Sequence, residues 1–135
     1  MAKEYLVNEG NKIGYMDSSF GSDLTLNQKK LIADGNLTKG QVVYISGDMK
    51  VKATTAATKA VIGVAMFDAK DGEDIAVECE GLFKLTAGGT IAAGAEVEAA
   101  AGGKVATASG SPTKVIGIAL SGASAGEDVY VKFSI

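Results

Sequence analysis

The sequence predicts an all-β fold, a small antiparallel β-barrel or sandwich built from two duplicated halves, on three observations. Apolar and polar residues alternate with a period of two after each of two Gly-Glu-Asp turns. The chain writes nearly the same segment twice, VIGVAMFDAKDGEDIAVECEG from Val61 to Gly81 and VIGIALSGASAGEDVYVKFSI from Val115 to Ile135. Short apolar runs are separated throughout by Gly, Asn, Asp and Ser, the punctuation of a sheet with tight turns.

Residues 1–25 lie outside the repeated region and read as an extended N-terminal arm, with residues 26–135 as a single β domain. The arm carries Tyr5, Leu6, Val7, Ile13, Tyr15, Met16 and Phe20 among Asn, Gly and Ser, too apolar for a simply solvated tail. Tyr5, Leu6, Val7, Tyr15, Met16 and Phe20 are the candidate partner-binding residues; packing against the protein's own barrel is the alternative for them. Next, TLNQKKLIADG could form about two helical turns ending at Gly35, so at most one or two short helices are expected.

An offset of 54 residues then relates 37–79 to 91–133 without a gap. It takes Val43 to Val97, Val51 to Val105, Gly63 to Gly117, Gly72-Glu73-Asp74 to Gly126-Glu127-Asp128, and Val77 to Val131. Two copies are too few for a solenoid, so the halves are expected to complete one shared core. Strands are predicted over Gln41–Ile45 and Val61–Met66, with Ala95–Glu98 and Val115–Leu120 as their counterparts. AGAEVEAAAGG has helix-forming composition, but its alignment with Gln41-Val42-Val43 favours strand. In the closing strands Ile75, Val77, Cys79, Phe83 and Leu85 share one parity, and Val129, Val131, Phe133 and Ile135 repeat it. Val77, Cys79, Phe83, Val131 and Phe133 should therefore be buried, and Glu78, Glu80 and Lys132 exposed, with a bulge or bend at Gly81.

The composition narrows the chemistry. The 135 residues are 47% hydrophobic and 21% charged, a globular balance. There is no His and no Arg, and all thirteen cationic side chains are Lys. The commonest neutral-pH proton shuttle is thus missing, as is the bidentate reader of phosphate and guanine. A net charge of −3 disfavours nucleic acid, and Lys29-Lys30 is too small a basic cluster to reverse that. No apolar run is long enough for a membrane span, and the opening Met-Ala-Lys-Glu-Tyr has no apolar signal core, so neither a membrane nor export by a signal peptide is expected. The single Cys79 excludes an internal disulfide, and with no His to activate it a buried thiol is expected. Asp68, Asp71, Glu73 and Asp74 crowd one turn, yet lack the spacing of a calcium loop, so a solvated turn is the preferred reading. TAGGT and AAAGGKV lack phosphate-loop spacing. No catalytic, cofactor or metal residue is assigned, and no enzyme is expected.

AVECEGLFKL (Ala76 to Leu85), GTIAAGAEVEAAAGGKVAT (Gly89 to Thr107) and VIGIALSGASAGEDVYVKF (Val115 to Phe133) together resemble the capsid decoration, or cement, proteins of tailed bacteriophages. The resemblance covers roughly Leu37 to Ile135, and the arm does not share it. It implies a non-enzymatic structural virion protein, made in the host cytoplasm, that binds the major capsid protein on the outer surface of the capsid and stabilises the head. It also implies a homotrimer, at least on the capsid. A surface module recognising glycans is the alternative function, weakened by the absence of Trp and the presence of only four Tyr.

Overall fold

The computed structural model describes residues 31–109 and 114–135, and in them the alternating segments become eleven short strands. These are β1 (Leu31–Ala33), β2 (Val42–Gly47), β3 (Lys50–Ala53), β4 (Val61–Ala65), β5 (Asp74–Ile75), β6 (Val77–Glu78), β7 (Glu80–Thr86), β8 (Glu96–Ala100), β9 (Lys104–Thr107), β10 (Gly117–Ala119) and β11 (Asp128–Ser134). The chain is almost entirely β among the described residues, with one 3-10 turn at Ala101–Gly103. One sheet runs β5-β1-β3-β2-β4-β6 and the other β7-β11-β10-β8-β9.

Both sheets curl. β5 and β6 lie on opposite edges of the first sheet, yet only Ala76 separates them, so the sheet must bend until its edges meet. Together they fill the place that the unbroken β11 fills in the second sheet. β5 pairs with β1 and β6 with β4, whereas β11 pairs with both β7 and β10. The edges of the second sheet are joined by a parallel bridge, Ala87 to Val105.

The register of one sheet recurs in the other with both partners moved by 54 residues. Val43 faces Gly63 as Val97 faces Gly117. Leu31 faces Ile75 as Leu85 faces Val129, and Ala65 faces Val77 as Ala119 faces Val131. The parallel contact of Ala33 with Val51 matches the bridge of Ala87 with Val105, and the bridge Leu37–Ala69 matches Ile91–Ala123. Even the turns agree: Lys70 N–H donates to Glu73 Oε1 and Ser124 N–H to Glu127 Oε1, both at 2.8 Å. Gly63 and Gly117 have the same reason to be glycine. A Cβ on either would collide with a carbonyl oxygen of the neighbouring strand, that of Glu78 or Lys132.

The interior divides into a cluster inside the first sheet and a larger one inside the second that also takes in Val42, Val61 and Val64 of the first half, so the halves share part of their core as expected. Ala33, Leu37, Val43, Val51, Ala65, Ala69 and Ile75 fill the first. Leu85, Ile91, Val97, Val105, Ile116, Val129, Val131 and Phe133 fill the second, where Phe83 meets Phe133 edge-on with ring centres 6.0 Å apart. Burying each Val, Leu, Ile or Phe of these clusters contributes about 1.5–3 kcal/mol, before the entropy of ordering it.

Three expectations need correction. Leu31–Ala33, taken as the end of a helical segment, is strand β1, because pairing with β3 and β5 overrides local helix preference. The strand expected to run from Ile75 to Leu85 is broken at Ala76 and Cys79, while Gly81 stays in register with Phe133. Parity therefore does not carry across the breaks. Cys79 is exposed, and Val77 and Phe83 are only half-buried, because Cys79 links the first sheet to the second and belongs to neither. Val131 and Phe133, on the unbroken β11, are fully buried as expected, with Glu78, Glu80 and Lys132 exposed. The antiparallel expectation holds apart from the two parallel contacts.

Candidate interaction surfaces

Three surface features follow from this architecture. The first is a groove between the halves. The loop Thr38-Lys39-Gly40-Gln41 forms one wall; Lys84, Thr86 and Asp128 with the Gly102-Gly103-Lys104 turn form the other, around about 370 Å³. A neighbouring recess of about 430 Å³ shares Lys39, Gly40 and Lys84 and is floored by Val64, Ala65, Met66, Leu82 and Phe83. Lys39, Lys84 and Lys104 make the groove cationic, offset only by Asp128, whose carboxylate lies 3.9 Å from Lys84 Nζ on exposed surface. At such exposure the pair is screened and contributes little. The groove can bind by shape and charge, and it holds no pairing of nucleophile and base among its lining residues.

The second feature is the acidic turn. The carboxylates of Asp68, Asp71 and Glu73 accept from backbone N–H groups. Asp68 Oδ1 accepts from Lys39 N–H at 2.8 Å and Asp71 Oδ1 from Gly35 N–H at 2.8 Å, while Asn36 Oδ1 accepts from Asp71 N–H at 3.1 Å. These bonds lace the 35–39 loop to the 68–73 loop. Among the described residues no group of three or more His, Cys, Asp or Glu is placed to hold a metal ion.

The third feature is the outer face of the second sheet. Leu82, Lys132, Ile118 and Glu96 lie directly opposite one another across β7, β11, β10 and β8. Lys84 and Tyr130 form the next row, and Leu120 N–H donates to the Tyr130 carbonyl beside them. Leu82 is 71% exposed, Tyr130 54%, Leu120 50% and Ile118 39%, so four large apolar side chains share one open face with two lysines. This face was missed in the sequence. Its signal was there: Leu82 and Ile118 are apolar residues on the parity that otherwise carries charge.

The candidate partner residues Tyr5, Leu6, Val7, Tyr15, Met16 and Phe20 lie outside the described residues. Among the described residues no helix is long and apolar enough to cross a membrane.

The described residues thus form a pair of small curled sheets whose notable surfaces are a groove and an apolar face, with carboxylates used as structural ties. The family model for the phage cement protein matches residues 25–134, and the chain belongs to that family, whose members are structural proteins of the phage virion. No curated protein matches the sequence. Among solved structures, the chain is similar to the N-terminal base of the head fiber protein gp8.5 of bacteriophage phi29, with a TM-score of 0.60 at 19% identity. The likeness covers 78% of this chain and 92% of that one, and it shows a shared fold.

Proposed function

We propose that this structural virion protein is a decoration protein: it binds the major capsid protein on the outer surface of the assembled head and stabilises the shell, without enzymatic activity, as a homotrimer on the capsid. The family match over residues 25–134 carries the reading. The fold shared with a protein of the phi29 head fiber supports it. The physical logic is that DNA packed inside a head pushes its subunits apart, and a clip that buries interface across their boundary opposes the separation. We assign residues 1–25 to an arm whose Tyr5, Leu6, Val7, Tyr15, Met16 and Phe20 contact the capsid; an extended arm can add a strand to an exposed sheet edge. The recurrence of pairing at an offset of 54 residues supports descent of the two halves from a duplication.

The test is to incubate the purified protein with undecorated phage heads and follow co-sedimentation and the temperature at which heads burst. Saturable binding with a raised bursting temperature is expected; no binding overturns the reading. Deleting residues 2–20 should leave thermal unfolding in place and abolish head binding. Full decoration by the truncated protein would assign the contact to the barrels instead.

A further inference from the structure

The two halves differ in what covers their outer faces. In the first half Val42, Val61 and Val64 are sealed, and they belong to the cluster that fills the second half. The cover includes the tip of the β8–β9 hairpin. Gln41 Nε2–H donates to the Gly102 carbonyl at 3.2 Å, Gly103 N–H donates to the Thr54 carbonyl at 3.0 Å, and the buried Thr54 hydroxyl donates to the Ala100 carbonyl at 2.7 Å. The tip comes so close that a Cβ on Gly103 would stand 2.6 Å from Gln41 Cβ. Moved by 54 residues, the sealed trio becomes Glu96, Val115 and Ile118, all exposed. The docking tip moved back by the same amount becomes Asp48-Met49-Lys50 between β2 and β3, and all three of its residues are exposed.

We infer that the exposed face of Val115, Ile118 and Glu96 takes a second copy of this chain, inserted head to tail by its β2–β3 tip as the β8–β9 tip inserts within one chain. The substitutions on the two surfaces compensate. Where the internal contact sets Gln41 against Gly103, the intermolecular one sets the smaller Ala95 against the larger Met49. Where the internal face has Val42, the open face has the exposed Glu96; where the internal hairpin has Ala106, the free one has the exposed Lys52 beside Lys50. Acid thus enters the face and base enters the hairpin that would meet it. Met49 is also the one non-glycine residue with positive φ among those described, at 56°, the counterpart of Gly103 at 72°. A bulky side chain held in a left-handed turn and left in water is a feature that docking would use.

A head-to-tail contact uses two different surfaces, so each copy can lose one and keep the other. The contact gives the proposed homo-oligomer its interface, and in that respect rests on the proposed function. Its test needs no capsid and fails separately from head binding. The full chain is examined by light scattering and sedimentation over about 1–300 µM, together with Ile118→Glu, Val115→Glu, Met49→Glu and Met49→Gly. Wild type should associate, and each variant should associate more than tenfold more weakly while keeping its circular dichroism. Met49→Gly relieves the left-handed backbone, so its loss of association cannot come from unfolding. Mixing Ile118→Glu with Met49→Glu in equal amounts should restore one contact, giving a mixed dimer, because each variant retains the surface the other lacks. A wild type that stays a single chain at every concentration overturns the inference, as does association unchanged in the variants. Two monomeric variants that fail to complement each other overturn the head-to-tail geometry.

Discussion

Val42 and Glu96 hold matching places on β2 and β8, opposite Val64 and Ile118, yet Val42 is 0% exposed and Glu96 stands in solvent. Inside the two curled sheets the matching residues are alike, Val43 with Val97, Val51 with Val105, and Ala65 with Ala119. Outside they diverge. The pairing register and interior set are enough to build the curled sheet, and the outer face is then free to serve whatever lies next to it. In the first half the neighbour is the second half. In the second half the same face is open, and there apolar and charged side chains stand together in solvent.

The comparison can be broken hardest at its buried member. Val42→Glu, which copies the residue of the second half into the first, should destabilise the protein by about 3–5 kcal/mol by leaving a charge buried and unpaired. Glu96→Val should change unfolding by less than about 0.5 kcal/mol. Chemical denaturation of both variants reads the difference, and equal effects would mean that the two outer faces are not differently covered. A similar contrast separates Phe133 from Cys79, its counterpart at the 54-residue offset. Phe133→Ala should cost about 3–5 kcal/mol through lost burial and the cavity left behind. Cys79→Ser should cost under about 0.5 kcal/mol, and the native thiol should react with a maleimide without prior unfolding.

A smaller effect belongs to the seam between the halves. Thr54→Val removes the hydroxyl that donates to the Ala100 carbonyl, and its counterpart in the second half is Ala108, so only the first half has this bond. A loss of about 1–2 kcal/mol is expected in thermal or denaturant unfolding, with no change in fold. Smallest of all is the exposed pair of Lys84 with Asp128. Lys84→Ala should shift stability by no more than about 0.5 kcal/mol, an effect that vanishes in about 1 M salt. A larger loss would assign Lys84 a packing role in the groove it lines.

By itself the sequence determined what depends on neighbours along the chain. The period of two in DVYVKFS requires Val129, Val131 and Phe133 on one face of β11, and the structure buries all three. The matched Gly63 and Gly117 were legible as a repeated pair, and the scarcity of chemistry-bearing residues was legible in the missing His and Arg. Tertiary structure decided the rest, because it depends on which strands meet. Leu31–Ala33 is a strand only because β3 and β5 flank it. Ile75 and Val77 share a parity along the chain, yet they lie on strands at opposite edges of the first sheet, and Cys79 falls in the crossing between sheets, where parity has no face to refer to. The fate of an outward residue was least legible of all. Val42 and Ile118 are both apolar and both point away from their own barrel, and only the presence of a neighbouring half over one and not the other makes the first a core residue and the second a surface.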